Sequence, residues 1–84
     1  MTDKDNIIPE EKLLEAYEYL MNHKYGYLED LNKIYPGLTQ YLIKEGTIGE
    51  GVNAKLQLRY HVTKHGEKIA EIQRRSLILK TLEL

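Results

Sequence analysis

The chain has 84 residues, of which 42% are hydrophobic and 30% are charged, and its formal net charge is −1. These values are typical of one small globular domain and exclude an intrinsically disordered chain. The near-neutral charge also argues against a strongly basic nucleic-acid coat protein. A chain of this length buries only about 60–65% of its unfolded surface, so dimerisation would add to a small core.

Residue usage excludes several kinds of site and location. The chain has no cysteine, which excludes disulfides, cysteine nucleophiles and thiolate zinc sites. No apolar run approaches the ~20 residues that a membrane span needs. The first residues are polar and acidic, unlike a signal peptide. We therefore expect a cytoplasmic protein without membrane contact.

The charge is distributed unevenly along the chain. Residues 1–23 carry two basic and six acidic side chains, a net charge of −4. Residues 24–64 carry six basic and four acidic side chains, a net charge of +2, and residues 65–84 carry four and three, a net charge of +1. A polyanion would therefore bind through the middle of the chain.

The first predicted helix opens at residues 8–11, Ile-Pro-Glu-Glu. Proline suits the first helical position, and the two glutamates suit the positive end of the helix dipole. We expect the helix to end near His23–Lys24, with Gly26 in a left-handed turn beyond it. One apolar stripe is expected to pack into the core: Leu13, Leu14, Tyr17, Leu20 and Met21.

Two shorter helices follow. The second begins near Tyr27 and is broken by Pro36-Gly37, with its inward side made of Leu28, Leu31 and Ile34. The third runs from about Gly37 to Glu45, and Gly46 stops it as a C-terminal cap. Its predicted buried residues are Leu38, Tyr41 and Leu42. Its predicted surface residues are Thr39, Gln40, Ile43 and Lys44.

A β-hairpin and a switch to helix come next. The first strand runs from Thr47 to Val52, the turn lies around Asn53-Ala54, where Asn tolerates a positive φ, and the return strand runs from Lys55 to Thr63. Alternation on the return strand predicts one buried face, made of Leu56, Leu58, Tyr60 and Val62. At Thr63 the period changes, and its hydroxyl can cap the helix that follows.

The last helix, from about Lys64 to Leu84, is long for so small a chain, at about 31 Å. We expect Ile69 and Ile72 to pack on the body while the apolar far end overhangs it and pairs with a second copy, most simply antiparallel. The alternative is that this helix folds back along the first helix and completes a monomer core. The predicted dimer seam contains Ile69, Ile72, Ser76, Leu79 and Leu82.

The order of the predicted elements, together with a few residues at their boundaries, resembles that of a known family. Three helices with short breaks are followed by Glu-Gly-Thr-Ile at residues 45–48, a hairpin, and a Tyr-x-Val-Thr strand end leading into Gly-Glu-x-Ile-Ala. Over roughly residues 9–75 this resembles the winged helix-turn-helix family, in particular small archaeal plasmid or viral regulators and chromatin-type DNA binders. The resemblance implies an α+β fold, with the third helix in the DNA major groove and the hairpin wing on flanking backbone or minor groove.

The same resemblance implies the candidate DNA contacts. Glutamine can read adenine, and lysine can reach guanine or phosphate. The candidates are Thr39, Gln40 and Lys44 on the third helix, Lys55, Gln57 and Arg59 on the return strand, and Lys24 and Lys33 around the second helix. We expect one domain over residues 1–84 that acts as a homodimeric, sequence-specific transcriptional regulator. The alternatives are a winged-helix module for protein interaction and a non-specific architectural DNA binder.

Catalytic and metal motifs are not found. His23, His61 and His65 are expected on the surface, since zinc requires three or four protein ligands and no Asp or Cys lies near them in sequence. The glycines at residues 46–51 lack the Gly-Lys-Ser/Thr ending of a phosphate loop. We therefore expect a protein that is not an enzyme and uses no metal or cofactor.

Overall fold

A computed structural model describes residues 8–82, which form four α-helices and a three-stranded antiparallel sheet. In chain order the elements are α1 (Glu10–Asn22), β1 (Tyr25–Tyr27), α2 (Leu28–Ile34), α3 (Leu38–Glu45), β2 (Ile48–Val52), β3 (Leu58–Val62) and α4 (Lys64–Leu82). The strand order is β1-β3-β2. The predicted α+β class is confirmed, whereas the predicted helix end at Leu84 lies outside the described residues.

The core lies between the helices and one face of the sheet. Helix α1 buries Tyr17 and Leu20 of its predicted stripe together with Ala16, which was not predicted, and the other stripe residues pack at the margin: Leu13, Leu14 and Met21. Burying each large apolar side chain contributes about 1.5–3 kcal/mol, the main term that stabilises so small a fold. The other buried apolar residues are Ile8, Leu28, Leu31, Leu38, Leu42, Ile48, Tyr60, Ala70 and Leu77.

Strand β1 was not predicted from the sequence. It pairs antiparallel with β3, with Gly26 opposite Tyr60. A Cβ on Gly26 would lie 3.1 Å from the Tyr60 ring, so glycine admits that buried ring beside the strand. The predicted left-handed turn at Gly26 is therefore wrong: in the described chain the glycines with positive φ are Gly37 and Gly46.

The hairpin differs from its prediction at the tip. Strand β3 begins at Leu58, not Lys55, and the positive φ falls on Leu56 at 62° instead of on Asn53. Of the predicted buried face, Tyr60 is buried, Val62 is half-buried, and Leu58 and Leu56 are 56% and 84% exposed. The helices cover only the base of the hairpin. The alternating apolar residues of the return strand therefore predicted more burial at the tip than the structure has.

The predicted cap at Thr63 is confirmed. Helix α4 begins at the next residue, and the Gly66 N–H donates to Thr63 Oγ1 at 2.7 Å. The Thr63 hydroxyl in turn donates to the Gly46 carbonyl at 2.9 Å. This side chain therefore ties the end of α3 to the start of α4.

The predicted overhang of the last helix is wrong: α4 folds back along α1, as the alternative states for the path of this helix. Helix α4 runs antiparallel to α1: Leu77 is 8% exposed and Lys80 Nζ lies 2.7 Å from Glu10 Oε2. The expected packing of Ile72 on the body is also wrong, since 65% of that side chain is exposed. No helix within residues 8–82 is long and apolar enough to cross a membrane.

Candidate nucleic-acid interface

Helix α3 presents a narrow polar face. It lies between Gly37 and Gly46, whose φ angles are 87° and 90°, and the Gly46 N–H donates to the Leu42 carbonyl at 3.1 Å, as expected of a C-terminal cap. Leu38 and Leu42 hold the helix on the core. Its exposed residues are Gln40, Tyr41 and Lys44. Tyr41 was predicted to be buried but is 38% exposed, because it lies at the edge of the face that carries the core leucines.

Thr39 does not belong to this polar face, contrary to the prediction. It is 7% exposed, and its hydroxyl donates to Asn32 Oδ1 at 3.0 Å. The side chain therefore joins α2 to α3 and cannot reach a groove. Helical position alone gave no sign of this, since the partner amide lies on a different helix.

A hydrogen-bond cluster around Glu45 fixes the end of α3. Tyr17 donates its hydroxyl to Glu45 Oε1 at 2.8 Å, Thr47 donates to the same oxygen at 2.5 Å, and Tyr41 donates to Oε2 at 3.5 Å. Burial is the main cause that raises the pKa of Tyr17, and the hydrogen bond to this carboxylate raises it further. Sequence reasoning missed the cluster because Tyr17 and Glu45 lie 28 residues apart.

The hairpin tip is built around one asparagine. Asn53 Oδ1 accepts the N–H groups of Lys55 at 2.9 Å and Gln57 at 3.0 Å. The Asn53 amide also donates to Gln57 Oε1 at 2.9 Å. Lys55 and Gln57 were predicted on the outward face of a strand, but they lie in this turn. Lys55 is exposed at the tip, whereas the Gln57 side chain is engaged within the turn.

The remaining candidates fall into two groups. Arg59 lies on β3 with its guanidinium 4.9 Å from the centre of the Tyr27 ring, a cation–π contact. Lys24 lies 3.9 Å from Glu67, and Lys33 lies 3.7 Å from Asp30. These two lysines are exposed, but their charges are already compensated in part by neighbouring carboxylates.

Cations without a carboxylate partner are confined to one part of the described chain. Within residues 8–82, every lysine and arginine outside residues 44–68 lies within 4.0 Å of an Asp or Glu oxygen. Those without such a partner in that range are Lys44, Lys55, Arg59, Lys64 and Lys68. They lie on α3, the hairpin and the first turns of α4. The uneven charge of the sequence therefore becomes a local excess of uncompensated positive charge.

The histidines are not gathered into a ligand set. His23 stacks on Tyr19, with 4.1 Å between ring centroids, and His61 lies on β3 beside Gly49. Among residues 8–82, no three His, Asp or Glu side chains are grouped so as to hold a metal ion.

The chain matches none of the family models, curated proteins or solved structures with which it was compared. Its function must therefore be inferred from the arrangement of its own residues.

Proposed function

We propose that this protein binds double-stranded DNA as a winged helix-turn-helix protein, with α3 in the major groove and the β2–β3 hairpin on flanking backbone or minor groove. The order of helices, hairpin and final helix is compatible with that layout. The observation that carries the proposal is the confinement of uncompensated cations to α3, the hairpin and the start of α4. DNA presents a dense line of phosphates, which selects for such a surface.

Helix α3 and the β2–β3 hairpin would have different roles in DNA recognition: α3 reads bases and the hairpin contacts phosphates. Gln40 and Lys44 are the exposed polar residues of α3, and a glutamine amide can pair bidentately with adenine. Lys55 at the hairpin tip and Arg59 on β3 bring positive charge that suits phosphate contact. The cluster around Glu45 holds the end of α3 against α1 and the start of the hairpin, so both elements approach DNA in a fixed relation.

We further propose that the regulator is a homodimer that pairs through the exposed side of α4. Ile72, Leu79 and Leu82 are 65%, 54% and 76% exposed, and with Ser76 they form one stripe facing away from α1, here called the α4 seam. Ile69, half-buried, lies at its margin. Because α4 already completes the core on its other side, a second copy would cover apolar surface that otherwise meets water. A dimer would present two α3 helices to a two-fold DNA site.

Charge reversal tests duplex binding. The double variant Lys55→Glu, Arg59→Glu should weaken binding to all duplexes and flatten the log–log salt dependence by about 0.9 for each phosphate that the protein no longer neutralises. Gln40→Ala should instead relax preference at one base position, by about 1–3 kcal/mol. Lys12→Glu, in α1 and outside the proposed surface, is the single charge-reversal control and should leave both affinity and base preference unchanged. A wild-type protein that binds no duplex at low salt would refute the proposal.

A further inference from the structure

The sheet has an outer face that none of the helices covers. Strand register places Tyr25 opposite His61, and Tyr27 opposite Arg59. Two close contacts identify the faces: the Gly26 position meets the buried Tyr60 ring on the inner side, and a Cβ on Gly49 would lie 2.6 Å from the His61 ring. The side chains on the outer face are therefore Tyr25, Tyr27, Arg59 and His61, with Gly49 and Gly51 beside them.

The glycines leave this face flat. Gly49 lies opposite His61, and Gly51 lies opposite Arg59, so β2 adds no side chain to the outer face at either position. A Cβ on Gly51 would meet nothing within 4 Å. The His61 ring therefore lies against Gly49 with no β2 side chain beside it, and the surface next to Arg59 is open at Gly51.

The outer face also has a one-sided charge. The only carboxylate on the three strands of the described chain is Glu50, whose register position opposite Tyr60 places it on the inner face. Arg59 has no acid partner within 4.0 Å in that part of the chain and stacks on Tyr27. Tyr25 is 72% exposed, so its ring is accessible to a ligand from solvent. The strands therefore contribute aromatic side chains and one cation to the outer face, and no carboxylate.

We propose that the outer face binds unpaired bases of a single-stranded nucleic acid. This surface is distinct from α3, which would read duplex DNA, and shares only Arg59 with the proposed duplex contacts. Bases within a duplex are stacked on one another and present only their edges, whereas unpaired bases can stack on aromatic side chains. Tyr25 and His61 supply stacking partners, and Arg59 supplies charge for the backbone or a further planar contact. The protein would thereby hold single strands without a strict sequence preference.

The test is an affinity measurement with short labelled oligothymidine and oligouridine, followed by anisotropy. Wild-type protein should bind at low salt, and Tyr25→Leu should weaken binding about 5- to 150-fold, the range for loss of one stacked base. Tyr25→Phe keeps the π face and should retain wild-type affinity. His61→Leu serves as a second loss variant on another strand, and circular dichroism confirms that each variant is folded.

The pair Gln40→Ala, Lys44→Ala on α3 is the matched control. It should lower duplex affinity and leave oligothymidine affinity unchanged, while Tyr25→Leu should do the reverse. Tighter binding of oligouridine than of oligothymidine would assign RNA as the partner, and the opposite order would assign DNA. Absence of single-strand binding by the wild type, or equal affinity of Tyr25→Leu and wild type, would overturn the proposal whatever the duplex result.

Discussion

At Gly66, α4 approaches the α3–β2 connection closely, so replacement of this glycine by alanine should destabilise the fold. The residue is buried in the first turn of α4, against the backbone that leads from α3 into β2. A Cβ at this position would lie 1.8 Å from the carbonyl oxygen of Thr47. That oxygen also accepts the Thr63 N–H at 3.2 Å, and this hydrogen bond fixes its position at the junction of the α3–β2 connection with the start of α4. Alanine therefore requires α4 or the α3–β2 connection to move.

Two effects of opposite sign determine how far Gly66→Ala changes the free energy of unfolding. Alanine favours a helix over glycine by about 1 kcal/mol. Overpacking costs about 1–3 kcal/mol when side chains can adjust, and more against backbone, which cannot rotate away. Increasing the distance between the new Cβ and the Thr47 carbonyl oxygen from 1.8 Å to 3.0 Å requires a shift of more than one ångström. The junction that must shift is held by hydrogen bonds. We expect a net loss of at least about 2 kcal/mol in the free energy of unfolding.

Thermal and denaturant unfolding of Gly66→Ala should therefore show a Tm lower by about 8–16 °C than that of the wild type. The matched control is Gly51→Ala, where a Cβ meets nothing within 4 Å and φ is not positive. This control should change stability far less. If Gly66→Ala is as stable as the wild type, the close approach of α4 to the α3–β2 connection is wrong.

Three further predictions test other parts of the molecule. Thr63→Ala removes the cap of α4 and should cost about 1–2 kcal/mol in denaturant unfolding, while Thr63→Ser should retain most of that stability. Burial raises the pKa values of Tyr17 and Tyr60, so the folded chain holds protons that the unfolded chain releases near pH 10. The contribution of these two tyrosines to stability should therefore be constant below that pH and fall above it by about 1.4 kcal/mol per pH unit for each tyrosine. Tyr17→Phe should reduce the slope, which alkaline unfolding followed by tyrosinate absorbance measures, and an unchanged slope would contradict the effect. The double variant Leu79→Asp, Leu82→Asp should sediment as a folded monomer at a concentration where the wild type is dimeric; a monomeric wild type at tens of micromolar would refute the α4 seam as an interface.

Long periodic segments allowed most of the fold to be predicted. The stripe of α1, the Pro36-Gly37 break, the cap at Gly46 and the switch at Thr63 are each specified by residues within one or two turns of chain. Strand β1 has only three residues, one of them glycine, which is too short for any period to show. It exists because Gly26 accommodates the Tyr60 ring, a contact between distant parts of the sequence.

The candidate site was less predictable because side-chain pairing decides which charges remain uncompensated. Lys24 and Lys33 have carboxylates nearby, and only the folded chain brings Glu67 to Lys24. Thr39 faces Asn32 because α2 packs against that side of α3. The predicted overhang of α4 was wrong for a similar reason: helix length suggested an overhang, whereas Leu77 and the Lys80–Glu10 ion pair hold α4 along α1.

Duplex binding through α3 and the hairpin is tested most directly by backbone amide NMR during titration with duplex DNA. The account predicts that the largest shift changes fall in residues 38–46 and 53–59, with α1 amides unaffected. The same changes should diminish as salt is raised, because phosphate contacts release counterions. Shift changes confined to α1 and the α4 seam, or no change at low salt, would contradict the account.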